Sequence, residues 1–274
     1  MASEKTAVIK YLFDLYWDGT RLTRTLMTLD DVKMAIRECN LQDGKQRSDR
    51  NPANFLKDIV RSRGASQIWP AEVAALGYTG EQRTGRGDSF EFVPLKPGQL
   101  DPFPDLYRPT DSTPRIDLQS VSMSLASKHL GRRDEAWLVQ TAVNLRVVEQ
   151  HLATMSALHI TQISHLQMTV KLRATEIDSL YLATLRDGTT AIVTCEAKQD
   201  SERILVGQIR SQVEAAFGTV DTSLVIPMAV RSVRGVGIHV LEFKAVHRAS
   251  LATAVIPELA SEAIYCLKPP VTGI

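Results

Sequence analysis

The chain has 274 residues, of which 44% are hydrophobic and 23% charged, with a formal net charge of +1. This length allows one large domain or two modest ones with a buried core, and no segment approaches the ~18 apolar residues that a membrane span needs. Three widely spaced cysteines indicate neither a disulfide framework nor a zinc site. We therefore expect a cytoplasmic protein with no signal peptide and no membrane partner.

Residues 1–92 are predicted to form a mainly helical first domain. One helix begins after Thr28, an N-cap residue followed by acids, a second covers 51–63 and a third covers 69–77. Glycines and a final alternation of polar and apolar residues then predict a hairpin over 79–95. Three helices followed by a basic, glycine-rich hairpin is the order of a winged-helix-like domain.

A winged-helix-like domain suits DNA because one helix fits the major groove while the hairpin, or wing, lies along the phosphates. The alternative is a small helical subdomain that only packs on its neighbour. In the DNA-binding interpretation, helix 51–63 reads the bases. The candidate DNA-binding residues are Arg47, Arg50, Asn51, Asn54, Lys57, Arg61, Gln82, Arg83 and Arg86.

Residues 93–118 contain six of the twelve prolines, so this segment is predicted to be a linker. Residues 119–274 are then predicted to form a second domain of the α/β (α+β) class, a mixed sheet flanked by helices. Its predicted elements are a long helix over 132–157, strands over 163–173, 176–185 and 189–198, a helix over 203–217, strands over 223–232 and 235–246, and a helix-like segment over 249–260.

Two carboxylates and a lysine occupy the outer ends of two consecutive predicted strands. Asp178 begins one strand, and Glu196 and Lys198 end the next. A three-residue loop over 186–188, with Gly188 in the left-handed conformation, places Asp178 opposite Glu196, whereas a two-residue turn shifts it to the wrong face. The hypothesis of a shared site therefore predicts one particular turn.

The tripeptide acid-x-Lys occurs four times, beginning at Asp31, Asp43, Glu196 and Glu242. Only the one at Glu196 ends an apolar strand that faces a second acid-bearing strand and is followed at once by a helix. Paired carboxylates are suitable oxygen ligands for Mg²⁺. A lysine beside them can orient a nucleophile and offset the negative charge of a phosphodiester transition state.

With this arrangement, residues 130–246 resemble the PD-(D/E)XK nuclease superfamily. The resemblance implies a restriction-endonuclease-like fold in which Asp178 and Glu196 bind Mg²⁺ and Lys198 is catalytic. It also implies that Gln208, on the following helix, helps to orient the site, and that Glu149, on the preceding helix, is an extra acid near the metal.

The chain departs from the namesake motif because Ile177, not proline, precedes Asp178. Glu176 is either a third acid or an exposed strand residue. The sequence motifs of other enzyme classes, namely the phosphate-binding P-loop, the Rossmann fingerprint and the GxSxG motif of serine hydrolases, do not occur in the sequence.

The resemblance and the predicted DNA-reading domain together imply a Type II restriction enzyme. Such an enzyme hydrolyses double-stranded DNA to 5′-phosphate and 3′-hydroxyl ends, and a homodimer is expected because two strands are cut. Two alternatives remain open at this point. One is a repair, mobile-element or phage-defence nuclease of the same superfamily, and the other is a non-catalytic DNA-binding regulator.

Overall fold

The computed structural model describes residues 4–61, 64–83, 87–172, 175–255 and 257–274. The chain divides into two compact units, Met1–Leu106 and Tyr107–Ile274. This division differs from the predicted boundaries at 92 and 119, because part of the proline-rich segment packs on the first unit: Thr79 donates a hydrogen bond to the Pro102 carbonyl (2.6 Å). The segment's other end supplies a strand to the second unit. In the described residues no helix is both long and apolar enough to cross a membrane.

The first unit combines short helices with a small antiparallel sheet. The helix that follows Thr28 is confirmed, and Thr28 and Asp31 form the reciprocal hydrogen bonds of a capping box. The predicted hairpin is also confirmed, and its two strands pair with a short strand from earlier in the chain in the order β1-β3-β2. The elements are α1 (Glu4–Tyr16), β1 (Leu26–Thr28), α2 (Leu29–Asp43), α3 (Lys57–Arg61), α4 (Ala65–Ile68), α5 (Ala71–Ala75), β2 (Tyr78–Gln82) and β3 (Asp88–Pro94).

The predicted continuous helix over 51–63 is wrong. The segment starts with a single tight turn over Pro52–Asn54, and α3 begins only at Lys57. Side chains of the hairpin explain the break, since Ser89 donates to the Pro52 carbonyl (2.8 Å) and Gln82 donates to the Ala53 carbonyl (2.7 Å). Those carbonyls would otherwise accept the first hydrogen bonds of a longer α-helix.

The second unit is built on a mixed sheet with helices on both faces, as predicted. The strand order is β4-β11-β9-β8-β7-β6-β5, with β10 beside β8. The β7–β8 and β11–β4 pairs are parallel and the others are antiparallel. The strands are β4 (Arg115–Gln119), β5 (Ile160–Leu172), β6 (Thr175–Leu185), β7 (Thr190–Lys198), β8 (Leu224–Val233), β9 (Gly237–Phe243), β10 (Val246–His247) and β11 (Leu259–Lys268), and the helices are α6 (Leu125–His129), α7 (Glu135–Asn144), α8 (Val147–Thr154) and α9 (Val206–Thr219).

The apolar face of each helix determines where it lies on the sheet. Trp137 and Leu152, on α7 and α8, share one buried cluster with Val193 and Cys195 of β7. On α9, Val213 and Phe217 share a different cluster with Ile192 of β7. Alternate residues of β7 therefore face opposite layers, and nearly the whole strand is buried.

Two predicted elements of the second unit differ from the structure. The long helix over 132–157 is two helices, because Arg146 adopts a left-handed conformation (φ 55°) between α7 and α8. The prediction of a helix-like segment over 249–260 is wrong, because strand β11 begins at Leu259. β11 fills the gap between β9 and β4, and this non-local pairing outweighs the weak helical pattern of the sequence.

The β6–β7 hairpin has the predicted register. Its ladder runs from Thr184 opposite Thr190 to Ser179 opposite Cys195, and one further step in this register would bring Asp178 level with Glu196. The three-residue loop contains Gly188 at φ 85°. This turn aligns the two acid-bearing strand ends.

Replacing Gly188 by alanine should lower the free energy of unfolding by about 1–2 kcal/mol, because a side chain disfavours the left-handed conformation. A Cβ added there meets no atom within 4 Å, so the cost is one of backbone conformation. Denaturant unfolding measures it. The matched control is Gly207→Ala in α9, also in open space, which should raise stability by ~0.5–1 kcal/mol. An unchanged stability for Gly188→Ala would contradict this account of the turn.

Candidate active site

Asp178 lies where the regular pairing of β6 stops. The β5–β6 ladder pairs Met168 with Ser179 and Val170 with Ile177 but skips the positions between them, Thr169 and Asp178. Thr169 has a φ of 53°, which is rare for a β-branched residue. Beyond the last β6–β7 pair, the Asp178 carboxylate accepts a hydrogen bond from the backbone N–H of Ala197 (2.7 Å). The side chain of Asp178 thus takes the place of a backbone partner and is held against β7.

Glu196 and Lys198 form a buried ion pair at the end of β7. Their side chains are 5% and 2% exposed, and the Lys198 ammonium lies 2.7 Å from Glu196 Oε1. The ammonium also donates to the Ala197 carbonyl (2.8 Å). Burying two charges is costly unless each has several partners, and here both groups are hydrogen-bonded within the protein.

Two glutamines of α9 hold the Glu196 carboxylate. Gln208 donates to Oε1 (2.9 Å), and Gln212, one helical turn later, donates to Oε2. The spacing of four residues puts both amides on one face of α9. Gln208 was predicted to reach the site, and the structure places it there. Gln212 was not predicted, although the i, i+4 repeat of the same residue type was visible in the sequence.

Gln212→Ala should lower the free energy of unfolding by about 1–3 kcal/mol, because a buried carboxylate loses a hydrogen-bond donor. Gln212 is 1% exposed and its amide donates to Glu196. Gln212→Glu should cost more, since it brings a second acid to Glu196. Chemical denaturation of both variants checks the order. An alanine variant as stable as the wild type would show that Gln212 does not support Glu196.

Glu135, the first residue of α7, is a further acid of the site that sequence reasoning missed. It accepts a hydrogen bond from the Lys198 ammonium, and its side chain is 36% exposed. Gln199 fixes this helix end to β7 by donating to the backbone carbonyl of Asp134 (2.7 Å). The signal available in the sequence was an acid directly after the N-cap Asp134.

Glu149 was predicted as the extra acid near the metal, and the structure does not bring it there. It is buried on α8, where Arg146 lies 3.5 Å from its carboxylate. The helical acid whose charge acts on Asp178 is Glu135. Glu176 is half exposed and lies 3.8 Å from Lys171 on the neighbouring strand, so it is an exposed strand residue rather than a third acid of the site.

The pKa values of Asp178 and Lys198 are both raised in the folded protein. Burial, followed by the nearby Glu196 carboxylate, raises the pKa of Asp178 to about 7, although the Ala197 N–H and the Lys198 charge oppose the rise. Burial acts to lower the pKa of Lys198, but the attraction of Glu196 and Glu135 outweighs it, so this pKa is raised. Lys198 is therefore a cation at neutral pH, beside a carboxyl that titrates near neutrality.

The donor set at this strand end is suited to Mg²⁺. In the described part of the chain, no group of three or more His, Cys, Asp or Glu side chains is arranged to hold a metal ion. Mg²⁺, however, commonly uses only one or two carboxylates, with water and substrate phosphate as its other ligands. Asp178 and Glu196 supply two such carboxylates. Burial and then the Glu196 charge raise the pKa of Asp178, and a bound cation would offset both effects by favouring its ionised form.

Arg47, a candidate DNA-binding residue, is occupied within the first unit. Its side chain is 6% exposed, and its guanidinium pairs with Asp43 and donates to the Asn40 side chain (3.2 Å) and the Glu4 carbonyl (3.0 Å). The pairing lowers the pKa of Asp43 to about 2. Arg47 therefore links α1 to the end of α2, and we correct its prediction as a DNA contact.

The predicted wing is less basic than its sequence suggested. The Arg83 guanidinium lies 2.8 Å from Glu81 and 2.7 Å from Glu91, so two acids neutralise it. Gln82 donates to the Ala53 carbonyl and is thereby directed toward the preceding helical segment.

Of the other DNA-binding candidates, Arg50 and Asn51 are exposed, and Asn54 and Lys57 are partly buried. Arg61 is described by its backbone alone, at the end of α3, and Arg86 lies outside the described residues. Asn51 makes no side-chain capping hydrogen bond. Of these candidates, Arg50, Asn51, Asn54 and Lys57 keep described side chains with access to solvent. They lie on the segment between α2 and α3 and at the start of α3.

Comparisons with protein-family models, with curated proteins and with solved structures find no match to this chain.

Proposed function

We propose that the chain is a Mg²⁺-dependent nuclease that hydrolyses phosphodiester bonds of DNA, with residues 107–274 as the catalytic unit. The observation that carries this proposal is the meeting of Asp178, Glu196 and Lys198 at one strand end, in the register that the hairpin turn sets. A strand end that served only packing would gain nothing from a buried lysine and an acid with a pKa near 7.

Hydrolysis would join a water oxygen to phosphorus and break the bond between phosphorus and the 3′ oxygen. The water loses a proton to solvent, and the leaving oxygen gains one, so the products are a 5′-phosphate and a 3′-hydroxyl. When bound, Mg²⁺ supplies charge stabilisation at the phosphate and lowers the pKa of water. Asp178 and Glu196 would hold the ion, and the Lys198 ammonium would orient the water and balance the charge that develops on the phosphate oxygens.

The first unit is proposed to read DNA. The order α1-β1-α2, followed by short helices and the β2–β3 hairpin, supports a winged-helix-like arrangement, as does the sheet order β1-β3-β2. Arg50, Asn51, Asn54 and Lys57 are the candidate contacts with accessible side chains. A DNA-reading unit joined to a single nuclease unit favours a restriction enzyme, and a homodimer would supply one site for each strand.

The experiment is cleavage of plasmid DNA with Mg²⁺ and with EDTA. We expect cutting only with Mg²⁺, and discrete fragments if the enzyme is a restriction endonuclease. A smear would indicate a nonspecific nuclease of the same chemistry. Retardation of the DNA without any cutting, in Mg²⁺, would refute the catalytic proposal and indicate a binding protein.

A further inference from the structure

A cleft of about 790 Å³ lies beside Lys198, where β7 and β8 end. Glu135 forms part of its wall, and the same side chain accepts a hydrogen bond from the Lys198 ammonium. Gln199, which directly follows Lys198, is also in the wall. The cleft therefore adjoins the candidate active site through Glu135, and all of its lining residues belong to the second unit.

The two basic side chains of the cleft are available to a ligand. Arg133 and Arg234 are exposed, and within the described residues neither guanidinium has a hydrogen bond or an ion pair. The acids of the cleft are Asp134, Glu135, Asp200 and Glu202. Asp134 caps α7 and lies 3.2 Å from Arg132, Glu135 pairs with Lys198, and Glu202 accepts the Gln199 N–H (3.1 Å). Asp134 and Glu135 thus each lie beside a basic side chain, Asp200 and Glu202 are partly buried, and Arg133 and Arg234 are exposed.

The size and chemistry of the cleft restrict what it can hold. Its volume lies in the range of about 300–1,000 Å³ that suits a small organic ligand, which corresponds to one or two nucleotides. A duplex, whose major groove alone is about 12 Å wide, is too large. Ser201 and Thr272 line the cleft, and no aromatic residue in the described part of the chain lines it for base stacking. Phosphate and sugar contacts are therefore favoured.

We propose that this cleft binds one or two unpaired nucleotides of the DNA strand that is cut, with Arg133 and Arg234 contacting phosphates next to the scissile bond. This inference rests on the proposed nuclease function and narrows its substrate. The substrate is DNA with an unpaired stretch at the cut site, such as a frayed end, a flap, a mismatch or nucleotides extruded from a duplex. Guanidinium groups suit this role because they bind phosphate in a bidentate manner.

The test is fluorescence anisotropy in EDTA, where no cleavage occurs, with two labelled duplexes of the same length. One is fully paired and the other contains a short unpaired stretch. We expect the wild type to bind the partly unpaired duplex at least about tenfold more tightly, a ratio that corresponds to ~1.4 kcal/mol. In Arg133→Ala/Arg234→Ala the ratio should fall close to one. The matched control, Arg186→Ala/Arg210→Ala, removes two exposed arginines outside the cleft and should keep the full ratio.

The outcomes separate this inference from the proposed function. Equal wild-type affinity for the two duplexes, or an undiminished ratio in the cleft variant, would overturn the role of the cleft even if the protein cuts DNA with Mg²⁺. A wild-type protein that neither binds nor cuts any of these DNAs would overturn the nuclease proposal itself. Circular dichroism of the cleft variant confirms that it is folded.

Discussion

Asp178→Asn should make the metal-free protein more stable and much less responsive to Mg²⁺. The pKa of Asp178 is raised from 3.8 to about 7 in the folded protein. A carboxyl with a raised folded-state pKa favours the native state when protonated, and that contribution is lost as the pH rises from about 4 through about 7. Asparagine removes the ionisation and can still accept the Ala197 N–H. We therefore expect a gain of about 2–4 kcal/mol at pH 8, which shrinks toward zero at pH 4.

Thermal unfolding with and without Mg²⁺ checks this prediction without any activity assay. At a Mg²⁺ concentration about 100-fold above the dissociation constant, the wild type should gain ~2.7 kcal/mol, and Asp178→Asn should gain far less. Glu176→Gln, on the same strand but half exposed, is the control and should respond to Mg²⁺ like the wild type. A metal-free Asp178→Asn variant that is less stable than the wild type would contradict the raised pKa of Asp178. A variant that keeps the full Mg²⁺ response would contradict the proposal that Asp178 holds the metal.

Lys198→Met should slow DNA cleavage strongly and also weaken the fold. The variant leaves Glu196 buried without its cation, and breaking a buried ion pair in this way costs about 3–5 kcal/mol. Loss of a group that stabilises transition-state charge lowers the rate by about 10²–10³-fold. Lys198→Arg keeps a positive charge and should retain more stability, yet it should still cut poorly because a planar guanidinium cannot replace a compact ammonium.

The matched control is Lys244→Met, in the other strand-ending acid-x-Lys tripeptide. Lys244 is 60% exposed and pairs with Glu258 at the surface, so its loss should change stability by less than ~1 kcal/mol and leave cleavage intact. Cleavage rates are compared at a temperature where circular dichroism shows every variant folded. Wild-type cleavage by folded Lys198→Met would remove this lysine from the mechanism.

The part of the site that lies within one hairpin could be predicted from the sequence. The register that brings Asp178 opposite Glu196 depends on a three-residue loop with a left-handed glycine, and both are local properties of residues 185–189. Gln208 was predicted only through the family resemblance, which places a glutamine on the helix after β7. Within this hairpin the local signals were sufficient.

The rest depends on packing between distant segments, which the sequence pattern does not reveal. Glu135 reaches Lys198 only because α7 packs across the end of β7, 63 residues further along the chain. Arg47 has the charge expected of a DNA contact, but it pairs with nearby Asp43 and donates a hydrogen bond to the backbone carbonyl of distant Glu4, which leaves its side chain 6% exposed. The predicted helix over 51–63 is interrupted for the same reason, because side chains of the hairpin donate hydrogen bonds to the carbonyl groups of Pro52 and Ala53.

Thr169 of β5, which lies across from Asp178, has a left-handed backbone conformation that lowers conformational stability beside the proposed site. A β-branched residue in that conformation is unfavourable by about 1–3 kcal/mol and persists only when its surroundings hold it in place. The pairing of β6 with β5 is interrupted at Asp178, and the Asp178 side chain is directed toward β7, where it accepts the Ala197 N–H. Any redesign that regularised this stretch of β5 would gain a better strand and misplace the acid on which the proposed chemistry depends.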